Sequence, residues 1–127
     1  MRRAGKNGRK SWRKINKKLN KVVTPSELLS YYKQLKYLDK EDVLFNRKND
    51  VKVFGKFHFM VGESGLLSEN NKFFDINAHL DNLSLSDKQK MEKNGGERVI
   101  LMGKVGGRTK AMGLLNLYVK KIKFVNK

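Results

Sequence analysis

The sequence has no cysteine, which excludes disulfide staples, zinc ribbons and thiol chemistry and leaves the redox compartment open. Its two histidines, His58 and His79, stand far apart and in no HExxH-type spacing, so no resident metal is expected. The longest apolar run, 99–102, is only a strand's length, and no segment reaches the length a bilayer-spanning helix needs. Catalytic signatures are missing too. The "GESG" at 62–65 lacks the spacing of a nucleophile elbow, no GxxxxGK[ST] occurs, and the carboxylates form no paired motif. The expectation is a protein that is not an enzyme and takes no cofactor or small-molecule substrate. The first 23 residues also lack any Asp or Glu, although 12 acids lie further on.

What is present is positive charge. The 127 residues carry 29 Lys and Arg and a formal net charge of +17, far beyond what solubility requires, which points to a polyanionic partner. Ten of those cations lie in residues 1–23: Arg2, Arg3, Lys6, Arg9, Lys10, Arg13, Lys14, Lys17, Lys18 and Lys21. The length suits one domain plus an extension.

Within that basic arm, Trp12, Ile15, Leu19 and Val22 recur at steps of three and four, placing them on one face of a helix whose other face is cationic. Residues 1–9, with Gly5 and Gly8, read as extended. A transit peptide would also be amphipathic and acid-poor, but Lys dominates here and Ser occurs once in the arm. Thr24-Pro25-Ser26-Glu27 then reads as a helix start with Thr24 as N-cap, Pro25 in the first turn and Glu27 closing a capping box. This helix should bury Leu28, Tyr31 or Tyr32, Leu35 and Leu38 and fade near 39–42. The expected organisation is a basic arm at 1–23, a helix-bearing segment packing on the body at 24–45, and a β domain at 51–127.

After the polar "FNRKND" linker the hydrophobic period falls from 3.6 to 2. Val51, Val53, Phe57, Phe59 and Val61 share one face, while Lys52, Phe54, Lys56, His58 and Met60 share the other, with Gly55 suggesting a tight bend. "GLLSENN" reads as a connection. In "KFFDINAHL", Phe74, Ile76, Ala78 and Leu80 alternate with Phe73, Asp75, Asn77 and His79. A short helix is expected over 86–94, with Gln89 in the capping-box position. Val99, Leu101 and Val105 then mark a strand. In the last strand Leu115, Leu117 and Val119 are one residue out of phase with Ile122 and Phe124, and this slip at Lys120 and Lys121 predicts a β-bulge.

Strands, one helix, then a two-stranded hairpin is the order of a five-stranded OB-type barrel with its helix between strands three and four. The fold class is therefore α+β, a basic helical arm followed by a small OB-like barrel. The second half, "GERVILMGKVGGRTKAMGLLNLYVKKIKF", resembles the final strands of OB-fold proteins that bind ribosomal RNA or single-stranded DNA. Gly96, Glu97, Val99 and Leu101 match the opening of that pattern, and Arg108, Thr109 and Lys110 fill its basic loop. An SH3-like barrel or an unclosed sheet stays open as an alternative.

The resemblance implies a nucleic-acid site on the barrel's outer face and its flanking loops. Phe54, His58, Phe73 and Tyr118 are the stacking candidates, and Lys52, Lys56, Lys104, Arg108, Lys110, Lys120 and Lys121 the phosphate contacts. Trp12 and the ten cations of the arm complete the candidate set. The function expected is a non-catalytic RNA-binding structural protein of the ribosome, cytoplasmic or mitochondrial, among neighbouring proteins of a ribonucleoprotein. A single-strand-binding protein of replication, recombination or a virus, and a small viral coat protein with a genome-binding arm, are the alternatives.

Overall fold

Thr24 lies in an extended conformation (φ −92°, ψ 165°), and its Oγ1 accepts from the Glu27 amide while Glu27 Oε1 accepts from the Thr24 amide at 2.9 Å. This closed capping box starts α2 (Pro25–Tyr37) in a computed structural model that describes residues 5–59, 64–69, 76–93, 98–108 and 114–125. Arg2, Arg3, Met60, Val61, Phe73, Phe74, Asp75, Gly96, Glu97, Thr109 and Lys110 lie outside the described residues, as does most of the basic turn that holds the last two, at 109–113. The α2 helix buries Pro25, Leu28, Tyr32 and Leu35. It ends with the Lys40 amide donating to Leu35 O and the Asp39 amide to Lys36 O, and with Asp39 at φ 59°. That is a Schellman turn with an aspartate where glycine is usual.

The preceding helix, α1 (Gly5–Lys18), begins earlier than its glycines suggest. Residues 5–9, expected to be extended, are helical; each glycine costs a helix about 1 kcal/mol relative to alanine, but a turn added to an existing helix gains a backbone bond for each residue fixed. Ile15 and Leu19 are buried and Trp12 packs against the same core. The last residue of the apolar stripe is Val23, where Val22 was expected. The chain leaves the helix at Leu19 and enters β1 (Val22–Val23), parallel to the first barrel strand, so two-residue alternation turns Val22 outward and Val23 inward.

A one-turn helix, α3 (Asp42–Phe45), precedes the barrel. The barrel strands are β2 (Val51–Phe59), β3 (Ser64–Ser68), β4 (Ile76–His79), β5 (Arg98–Arg108) and β6 (Leu115–Phe124), with α4 (Leu85–Lys93) between β4 and β5. The order runs β2-β3-β4-β6-β5 and closes by β5 pairing back onto β2. Every barrel pairing is antiparallel except β4 with β6. This is a closed five-stranded OB-type barrel, as the element order implied.

Alternation sets what faces inward. Val51, Val53 and Phe57 of β2, Ile76 and Ala78 of β4, and Val99, Leu101 and Val105 of β5 are buried. Gly55 serves a close approach of β3, since a Cβ there would lie 2.7 Å from Ser68 O. β3 itself occupies the segment read as a connection, and its Leu67 is fully buried. The helix α4 is capped by Ser84, whose Oγ accepts from the Asp87 amide at 3.2 Å. Helix α4 therefore starts before the expected position, and Gln89 does not occupy a capping position.

The bulge falls where the phase slip placed it. Register passes from Met102↔Lys121 to Gly103↔Val119, leaving Lys120 as the extra residue on β6. A single cluster of buried side chains runs from Ile15, Leu19 and Val23 through Leu28, Leu35 and Leu44 into the barrel, so the core crosses residue 23.

Candidate nucleic-acid interface

Arg13, Lys14, Lys17, Lys18 and Lys21 are exposed on or just beyond α1, opposite the stripe that Ile15 and Leu19 bury. Lys6, Arg9 and Lys10 fall on the same helical backbone. Burying the apolar stripe leaves the helix no choice about which side its cations present. A second device fixes it in place. Arg47, in the linker between α3 and β2, donates from Nη1 to the Asn16 carbonyl (3.2 Å) and to Asn16 Oδ1, and from Nη2 to Asn20 Oδ1 at 2.6 Å. Burial lowers the Arg47 pKa from its ordinary value. Nothing in the "FNRKND" segment announces this role, because both partners lie at least 27 residues away in sequence.

Trp12, counted among the nucleic-acid contacts, packs inward and carries Arg13 and Lys40 over its ring at 5.6 Å each. Lys18 sits 6.0 Å from the Tyr31 ring; desolvation, and next the Glu27 carboxylate, push the Tyr31 phenol pKa upward.

The barrel cations divide. Lys104 donates to the Arg47 and Lys48 carbonyls and lies 3.5 Å from Asp50, so it closes the linker onto β5. Lys120 is 3.9 Å from the same carboxylate, on the bulge. Lys52 and Lys121 are exposed, Lys56 is half-buried on the outer phase of β2, and Arg108 ends β5.

Of the aromatic candidates, Phe54 is half-buried and His58 Nε2 is 2.9 Å from Ser68 Oγ. Among the described candidates the exposed ring is Tyr118, 42% accessible, and the His79 imidazole lies parallel to it with centroids 4.6 Å apart. Parallel β4–β6 pairing aligns Asn77 with Asn116 and His79 with Tyr118. Asn116 Nδ2 donates to Gly107 O at 3.2 Å, which turns Oδ1 toward β4. There it accepts from Asn77 Nδ2 at 2.9 Å and from His79 Nε2 at 2.9 Å. Gly106 lies against the Tyr118 edge, where a Cβ would come within 2.4 Å of Cε2. Sequence alternation put Asn77 and His79 on the outer phase, but only the pairing of β4 with β6 reveals their partners.

No protein-family model matches this chain, and no curated protein matches it. Among solved structures, an OBody, AM3L09, bound to hen egg-white lysozyme is similar over 64% of this chain and 85% of its own, with TM-score 0.51 and 14% identity. An asparaginyl-tRNA synthetase from Pyrococcus horikoshii is similar over 60% of this chain and 19% of its own, with TM-score 0.48 and 21% identity. A chain of the S. pombe Stn1-ten1 complex is similar over 62% and 60%, with TM-score 0.39 and 11% identity. Strand order, barrel closure and the first of these likenesses define the class: an α+β protein on an OB-type barrel, here carrying a docked cationic helix.

Proposed function

We propose that this protein is a non-catalytic nucleic-acid-binding protein whose partner is folded RNA within a ribonucleoprotein particle, the ribosome being the leading case. The observation that supports this reading is α1. Arg13, Lys14, Lys17, Lys18 and Lys21 are exposed on a segment whose other side is buried in the core. Cations held on a docked helix match a fixed array of phosphates, whereas a free tail would match any polyanion. A folded single chain of RNA supplies such an array, and recognition by shape and backbone is how such surfaces engage it. Binding would neutralise phosphates and release counterions, with no chemistry performed.

Sedimentation tests the reading. The chain should run with ribosomal particles at moderate salt and dissociate as salt rises; if it stays at the top of the gradient while subunits run below, the ribosomal assignment fails.

One observation favours a second reading, a single-strand-binding protein. The His79–Tyr118 stack is a preformed aromatic surface of the kind on which bases stack. Length-dependent binding to unstructured oligonucleotides, lost on Tyr118→Ala and retained when Lys14 and Lys17 become Gln, would favour this reading over the first.

A further inference from the structure

A groove of about 410 Å³ opens between α1 and the α3–β2 linker, within the size range of small-ligand sites. One wall is Trp12, Asn16 and Asn20; the other is Asn46, Lys48 and Asn49. A packing gap would be apolar and dry, but this one carries four carboxamides.

Their orientation is set. A guanidinium only donates, so Arg47 claims the Oδ1 atoms of Asn16 and Asn20 and leaves both Nδ2 groups as donors. Arg47 itself has a buried Nε without a hydrogen-bond partner among the described residues. Its guanidinium is paired with amides and a carbonyl, and among the described residues no carboxylate forms a salt bridge with it. Lys48 adds a second cation, and Asp42 is the acid in the lining.

Each simpler ligand leaves part of this set unused. An inorganic phosphate has no use for Asp42 or for the carboxamide oxygens of Asn46 and Asn49. A neutral sugar has no use for Arg47 and Lys48. A nucleotide uses all of it: the Asn46 and Asn49 carboxamides pair with the adjacent donor and acceptor of a base edge, the Nδ2 groups of Asn16 and Asn20 donate to its remaining acceptors, a carboxylate accepts from an exocyclic amino group, and the cations face the phosphate. Position supports the same ligand. Trp12, Asn16 and Asn20 are spaced four apart, and Arg13 and Lys17 lie about 100° around the helix from the first two. Phosphates held at those cations would carry an attached base past the mouth of the groove.

We infer that the groove between α1 and the α3–β2 linker binds one unstacked nucleotide of the RNA that α1 grips. This rests on the nucleic-acid-binding reading and adds a preference for looped over fully paired RNA. Because Trp12 already carries two cations over its ring, it acts as a wall and the carboxamides do the recognition.

Trp12 is the sole tryptophan, so its fluorescence reports the groove. The full chain is titrated with an RNA hairpin bearing a four-adenine loop, with the same stem as a blunt duplex, and with adenosine monophosphate. The hairpin should quench Trp12 and bind about tenfold tighter than the duplex, the scale of one good base contact. Asn46→Ala with Asn49→Ala, two exposed side chains, should bring the hairpin to within about twofold of the duplex while duplex affinity and thermal melting stay unchanged. Equal binding of hairpin and duplex, or a loop preference that survives the double variant, overturns the inference and leaves the phosphate-binding role standing. Binding to neither RNA removes both. Quenching by adenosine monophosphate that the hairpin cannot displace would assign the groove to a free nucleotide and overturn the extruded-base assignment.

Discussion

The His79 imidazole and the Tyr118 ring lie 13° from parallel on the outer face where β4 and β6 run side by side. One turns out of the third barrel strand and the other out of the fifth, and the stack exists because the barrel pairs those strands in parallel.

Tyr118→Ala should weaken binding of unstructured oligonucleotides by about fivefold or more if a base stacks there, from the roughly 1–3 kcal/mol a base stack is worth. Gly106→Ala should do much of the same from the ring's edge, because its Cβ would meet Cε2 at 2.4 Å and push the ring aside. Fluorescence anisotropy reads both. In a double-mutant cycle, Gly106→Ala should have no further effect once Tyr118 is alanine.

Leu19→Ala should destabilise the whole protein by about 2–5 kcal/mol, the usual range for a fully buried leucine. Urea unfolding followed by far-UV circular dichroism measures it. An unchanged midpoint would mean that the basic segment is not part of the folded unit.

Lys14, Lys17 and Lys18, changed to Gln one at a time, should each reduce the slope of log Kobs against log salt by about 0.7–0.9 if each contacts one phosphate. Thermal melting should hardly move for Lys14 and Lys17, which are exposed, while Lys18→Gln should lower it slightly because Lys18 also sits 6.0 Å from the Tyr31 ring.

Lys104→Gln should behave in the opposite way. Its ammonium is taken up by two carbonyls and Asp50, so stability should fall by about 1–3 kcal/mol while the salt slope stays within error. A lost slope with unchanged stability would return Lys104 to the phosphate contacts.

How much of this was legible in advance depended on whether the signal was local. The capping box at Thr24, the two faces of β2 from Val51 to His58 and the bulge at Lys120 are each written within a few residues, and each appears as read. β3 was missed because five residues containing two leucines carry too little alternation to mark a strand. Val22 and Val23 exchanged places because a helical stripe was carried on into a chain that had already become extended. The site was harder. Arg47 and Lys104 look like ordinary surface cations in sequence, and their partners become neighbours only when α1, the linker and β5 are packed together.

Burying Ile15 and Leu19 would also couple the stability of the fold to any polyanion bound at α1. The helix that presents the cations is the helix that completes the core, so a polyanion that grips it holds the entire fold by mass action. At a hundred times its dissociation constant such a ligand adds about 2.7 kcal/mol to the free energy of unfolding. Left without one, the same helix crowds like charges along its outer side, and the core that Ile15 and Leu19 complete stands without that added margin.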